Sequence, residues 1–142
     1  MKSISQIFAD EPYVVATGGN GAGFENSSTL VFTNTYTFGR QEIGSTNGTL
    51  TVDYEQGQQV RAVLTENVST IALQNMPVFG GRLEMILVQD EVGGRTVSWP
   101  AAWVTGGSFA PEVTATPGAR DRFVISNDGF DIYLDIAGQD YR

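Results

Sequence analysis

Apolar residues recur at every second position along much of this chain, in short runs cut by glycine, asparagine and proline. Val60, Ala62 and Leu64 alternate with polar neighbours across 58–64, and Leu83, Met85 and Leu87 do the same across 82–88. A period of two is that of a strand buried on one face, because successive side chains of an extended backbone point to opposite sides. Ile86 and Val88 add apolar groups to the second face of 82–88, which marks that strand as central or as buried at a subunit contact. Residues 29–33, 35–38, 42–46, 49–54 and 68–73 read as further strands, rich in threonine, valine and aromatics. The breaks between them are turn signals: Asn47-Gly48, Glu66-Asn67 and Gly80-Gly81.

Near the C-terminus, Asp128-Gly129 predicts a two-residue hairpin turn joining 123–127 to 130–134. That register sets Asn127 opposite Phe130, Ile125 opposite Ile132 and Phe123 opposite Leu134. Directly opposed residues share a face, so Phe123, Ile125, Phe130, Ile132 and Leu134 are expected on one buried face. Arg122 is expected opposite Asp135, as a cross-strand ion pair of small energetic weight. Short strands at this spacing predict an all-β fold, an antiparallel β-sandwich of jelly-roll-like form.

Only the first residues depart from the pattern. Ile4, Ile7 and Phe8 fall at helical spacing, Ser3 and Gln6 fit a capping box, and Pro12 would end the helix. A helix this short is marginal in water. It reads either as a frayed terminus or as an N-terminal arm whose Ile/Phe face docks on a neighbouring subunit or partner. Residues 18–28 form a Gly/Asn/Ser loop. The expected organisation is therefore an arm and Gly-rich loop over 1–28 and a β-sandwich domain over 29–142, without internal repeats or linkers. At 142 residues the chain has the size of one domain.

The sequence contains no histidine and no cysteine. The commonest general base, the commonest metal ligand and the nucleophilic thiol are all missing, so the usual triads and zinc sites are excluded. A net charge of −8 repels phosphate backbones and anionic bilayers, which argues against nucleic-acid and membrane partners. The N-terminus has no apolar run of signal-peptide length, so synthesis in a cytoplasm is expected.

Two chemistries need neither histidine nor cysteine. Asp53 and Glu55 would share a strand face about 7 Å apart, a spacing open to a glycosidase carboxylate pair. Asp90 with Glu91 and Asp128 with Asp131 are further acidic pairs. The run Asn127-Asp128-Gly129-Phe130-Asp131 lacks the alternating ligand series and distal Glu of a calcium loop, and reads as a tight turn. The Gly-Gly pairs lack phosphate-loop spacing and read as turns. No catalytic residue, cofactor or metal is expected. Trp99 and Trp103 flank Pro100, which keeps the segment from being a central strand. Exposed, they would stack on a sugar or anchor an interface; buried, they would form a lid with each indole N–H bonded to a loop carbonyl.

One set of motifs goes further. It comprises Leu64-Thr65-Glu66-Asn67-Val68, Leu87-Val88-Gln89-Asp90, Gly93-Gly94-Arg95-Thr96-Val97, Trp99-Pro100, Trp103, Gly106-Gly107, Ala110-Pro111, and Ala119 with Asp121 around Arg120. In this order and spacing they resemble a β-sandwich module of bacteriophage virion structural proteins, notably tail-fibre and baseplate components. The resemblance covers residues 49–133. It implies a jelly-roll-like, usually trimeric module without enzymatic activity. In tail proteins such a module ends a longer chain, whereas here it is almost the whole sequence. The expectation is thus a homotrimeric capsid decoration (cement) protein on the outer virion surface. Its partner would be the major capsid protein, and the contact residues Ile4, Ile7 and Phe8. The alternative is a tail-fibre or baseplate piece whose Trp99 and Trp103 hold a host glycan.

Overall fold

The computed structural model describes residues 39–142, which lie in the unit Thr37–Arg142. The expected arm with Ile4, Ile7 and Phe8, the Gly-rich loop, and the strands expected at 29–33 and 35–38 lie outside the described residues.

In chain order the strands are β1 (Arg40–Ile43), β2 (Thr49–Asp53), β3 (Gln59–Leu64), β4 (Thr70–Gln74), β5 (Arg82–Gln89), β6 (Val104–Thr105), β7 (Arg120–Asn127) and β8 (Ile132–Tyr141). One sheet runs β1-β3-β5-β7-β8-β6, and a second pairs β2 with β4. The all-β expectation holds for these residues. No helix among them is long and apolar enough to cross a membrane.

The pairing itself differs from expectation. β1 with β3, β3 with β5, β2 with β4, and β6 with β8 are parallel; only β5 with β7 and β7 with β8 are antiparallel. The purely antiparallel sandwich is therefore corrected. From β1 to β5 the chain alternates between the two sheets, and each pass lies beside the one before. Arg40 neighbours Gln59 and Gln59 neighbours Glu84 in one sheet, while Thr49 neighbours Thr70 in the other. Val68 pairs with Val97 to carry the stack into a third pass. Thr49-Leu50-Thr51-Val52 lies on Thr70-Ile71-Ala72-Leu73, a structural repeat that the sequence reading did not find.

The Asn47-Gly48 turn explains the misreading. It forms as predicted, with φ of 51° and 74° and a two-way hydrogen bond between Thr46 and Thr49 of 2.9 and 3.0 Å. Positive φ at both central residues is what such a turn requires. Yet the pairing stops at that single bridge, because β1 and β2 belong to different sheets. The turn works as a corner, not as the tip of a hairpin.

The predicted period of two survives this change. Rows of inward residues cross the first sheet: Gln41, Val60, Met85 and Phe123 in one, Leu83, Ile125 and Leu134 in the next. With Leu50, Val52 and Ile71 of the second sheet, the apolar members of these rows form one core. β5 is central, as its two apolar faces predict, and Leu83, Met85, Leu87, Val88 and Gln89 are all buried.

The C-terminal hairpin is shifted in register. Asn127 faces Ile132, Ser126 faces Tyr133 and Ile125 faces Leu134. The predicted two-residue turn is replaced by a longer loop, held by its own side chains. Asp128 Oδ1 accepts from the backbone N–H of Phe130 (2.9 Å) and Asp131 (2.8 Å), and Asn127 Oδ1 from that of Gly129 (2.7 Å). Such side-chain turns compete with the tight turn that an Asp-Gly pair favours. A shift of even length preserves the faces, so Phe123, Ile125 and Leu134 remain buried. Phe130, expected in the core, instead sits at the loop tip, 94% exposed. Arg122 pairs with Glu84 of β5, at 2.6 and 2.8 Å, and not with Asp135.

Candidate functional site

Polar residues of the motifs between Leu64 and Asp121 hold loops onto the sheets. Buried Gln89, at the end of β5, donates to Arg95 O (2.8 Å) and accepts from Arg95 N (3.0 Å). Asp90 accepts from Val92 N (3.1 Å), Gly93 N (2.8 Å) and both Nε and Nη2 of Arg95. These donors, the Arg95 guanidinium first, hold its carboxyl below the ordinary carboxylate range. Asn67 Oδ1 accepts from Thr96 N at 3.0 Å, and Glu66 accepts from Gly48 N at 3.0 Å, so successive corners of the stack are pinned to each other. Asp121, 1% exposed, accepts from Thr114 N (2.5 Å) and Asp140 N (2.9 Å), tying both neighbouring segments to β7.

Asp53 and Asp128 are engaged in the same way, whereas Glu55, Glu91 and Asp131 are exposed. Asp53 Oδ1 caps the short 3-10 turn Tyr54–Gln56 through Glu55 N (3.1 Å) and accepts from Asn75 Nδ2 (2.8 Å). The Asn75 bond leads the causes that lower its pKa. Glu55 lies in that turn and is exposed. Asp128 is held below the ordinary range by the N–H groups of Asp131 and Phe130 and by the Tyr133 hydroxyl, 3.0 Å from Oδ2. Among the described residues no three acidic side chains converge as a metal site would require.

The two tryptophans occupy different places. Trp99 packs on the core ring of Phe123, with centroids 4.8 Å apart, and donates its indole N–H to Pro111 O at 2.8 Å. Trp103 stands 6.3 Å from Trp99 and lines an open groove of about 590 Å³. Ile71 and Leu73 of β4, Pro100 and Ile132 form apolar walls; Asn75, Asn127 and Asp131 supply the polar groups. Two loop tips overhang it. Hydrogen bonds from Gly80 N to Asn127 O (3.0 Å) and from Asn127 N to Gly81 O (2.9 Å) join the β4–β5 turn to the end of β7. Val78, Phe79 and Phe130 are thereby grouped, exposed by 82%, 79% and 94%.

Of the candidate site residues singled out from sequence, Trp103 and Asp131 line this groove, while Trp99 packs in the core. Val78, Phe79 and Phe130 were missed as surface residues. Their signal was present in Pro77-Val78-Phe79-Gly80-Gly81, where apolar residues occupy a turn that would ordinarily be polar. For Phe130, the predicted hairpin register points to the core instead.

Compared with family models, curated proteins and solved structures, the chain matches none. The described surface offers a mostly apolar groove with exposed aromatic lips.

Proposed function

We propose that this chain is a structural protein of a bacteriophage virion, most specifically a homotrimeric decoration protein that binds the major capsid protein on the outer shell and stabilises it. The observation that carries this reading is the use of the motif residues. Asn67, Gln89, Asp90, Arg95 and Asp121 each secure a loop or corner, and Trp99 closes the core. Motif residues that maintain shape fit a module kept for the surface it presents. Multivalent attachment of such a module gains from each copy in turn, so individually modest contacts hold firmly.

The direct test is abundance. Quantitative mass spectrometry of purified virions should find this chain close to the copy number of the major capsid protein. A few copies per particle would instead indicate a tail component. The Ile4/Ile7/Phe8 segment is assigned to capsid attachment. Deleting residues 1–11 should weaken binding to undecorated capsids without preventing assembly of the protein itself.

A second reading is favoured by one feature of the groove. Trp103 stands beside Asn75, Asn127 and Asp131, and an aromatic face next to amide and carboxylate groups is suited to stacking and hydrogen-bonding a sugar ring. In that reading the protein is a tail-fibre or baseplate component that holds a host glycan. Glycan-array binding lost in Trp103→Ala, with the fold intact by circular dichroism, would select it.

A further inference from the structure

We infer that the outer face of the six-stranded sheet is a docking surface for an acidic patch on another protein. It is separate from the groove and holds whether or not the chain belongs to a virion. The chain carries −8 overall, yet its described cations are gathered in one place. Gln41, Val60, Leu83, Asp121 and Phe123 are buried, so the alternate residues of β1, β3, β5 and β7 point away from the core. Five of the seven arginines among the described residues stand on that outer face: Arg40, Arg61, Arg82, Arg120 and Arg122. The carboxylates that share it there are Glu42, Glu84 and Asp135. Five positive charges against three negative leave this face at +2, so the rest of the sequence must carry −10 to give −8.

Two of the five arginines are neutralised in place. Arg122 donates to Glu84 at 2.6 and 2.8 Å, and Arg40 donates to Glu42. Arg61, Arg82 and Arg120 form no ion pair among the described residues. In register, Glu42, Arg61, Ile86 and Arg122 make one row across the sheet. Arg61 and Arg122 are therefore about 10 Å apart at the backbone, with Ile86 between them. Val63, Val88 and Arg120 make the next row. Guanidinium groups beside aliphatic side chains have the composition of a protein contact, where arginine is enriched and lysine depleted. All the cations here are arginines, whose planar fork takes a carboxylate with two parallel hydrogen bonds. The charge balance also selects the occupant. A nucleic acid or an anionic bilayer extends past this face and meets the −10 carried elsewhere. Carboxylates confined to a patch on a folded protein meet the arginines, and charges beyond about 8 Å are screened at physiological salt.

The test titrates the purified full chain with a hexaglutamate peptide, a carboxylate probe about 20 Å long when extended, at low salt. Binding is read from the arginine Nε–H signals by NMR. The wild-type protein should bind, with shifts concentrated at Arg61, Arg82 and Arg120, and added salt should weaken the complex. The triple variant Arg61→Gln/Arg82→Gln/Arg120→Gln should bind at least about tenfold more weakly. Thr51→Glu/Gln56→Glu/Thr70→Glu changes the net charge equally, at exposed positions outside this face, and should stay within about twofold of the wild type. Circular dichroism checks that both variants fold. A wild-type chain that does not bind the peptide would overturn the inference. Equal losses in the two folded variants would do so as well, because net charge and not the face would then govern binding. A DNA oligonucleotide or phosphatidylserine vesicles held through the same arginines as tightly as the peptide would also overturn it, since phosphate would then be the ligand. Virion copy number is measured separately, so this inference and the virion reading fail independently.

Discussion

Gln89 and the Arg95 backbone form a closed two-way pair, the side-chain amide donating to Arg95 O at 2.8 Å and accepting from Arg95 N at 3.0 Å. Gln41 does the same for Asp53, donating to its carbonyl at 2.6 Å and accepting from its N–H at 3.3 Å, and it also donates to Gly57 O at 2.6 Å. Both glutamines are buried at 3% and 6% exposure. Each replaces, from the side, the backbone partners that a departing loop would otherwise lack. Leucine at position 89 would keep the volume and leave two backbone groups unpaired. Gln89→Leu should lower stability by about 2–4 kcal/mol, read as a reduced urea midpoint with unchanged slope.

Gly93 sets a second limit in the same loop. Its φ is +72°, and a Cβ there would lie 2.6 Å from Ala115 O and 2.8 Å from the Pro117 ring. Neither neighbour is a flexible side-chain end. Gly93→Ala should therefore cost more than the ~1 kcal/mol of left-handed strain alone. Gly94→Ala, with similar φ and open space around it, should cost only that strain. Thermal melts of the two variants separate crowding from conformation.

Acid should loosen the loops before neutral pH does. Asp53, Glu66, Asp90, Asp128 and Asp140 are all held below their ordinary values, by Asn75, by Gly48 N, by Arg95, by the Asp131 and Phe130 N–H groups, and by Arg142 respectively. A carboxyl with a depressed folded pKa contributes stability that is complete above its unfolded value and is lost as pH falls through the folded one. The unfolded references are 3.8 for Asp and 4.5 for Glu. Urea midpoints should thus be flat near neutrality and fall as pH drops below these values. Asp90→Asn should make that fall shallower. Equal pH slopes in the variant and the wild type would contradict the assignment.

Tyr133 reports on the same loop from the alkaline side. Its hydroxyl donates to Asp128, which raises its pKa above 10.0. The neutral hydroxyl is favoured in the folded state, so this contribution is present below the unfolded value and fades as pH rises through the folded one. Difference absorbance titration of wild type against Tyr133→Phe should show a late-ionising tyrosine, and Asp128→Asn should bring it back toward the ordinary midpoint.

The strands were readable because burial on one face writes itself into alternation. Val60, Ala62 and Leu64 of β3 and Leu83, Met85 and Leu87 of β5 all face the core as the pattern predicts. What alternation does not encode is the partner. A strand buried on one face shows the same period beside a parallel or an antiparallel neighbour, so the stacking of β1, β3 and β5 left no local mark. Asn47-Gly48 even pointed the wrong way, since one turn geometry serves both a hairpin and a corner between sheets. At Asp128-Gly129 the local competition between a tight turn and side-chain-held N–H groups decided whether Phe130 entered the core. That decision also created one lip of the groove, which is why the groove was hidden in the sequence while Trp103 on its wall was not.

Copy number tests the proposed place on the virion most directly. In purified particles, the ratio of this chain to the major capsid protein should approach one by quantitative mass spectrometry, and the chain should be released intact under mild denaturant while the shell remains. A ratio of a few copies per particle, or absence from particles altogether, would contradict the decoration role.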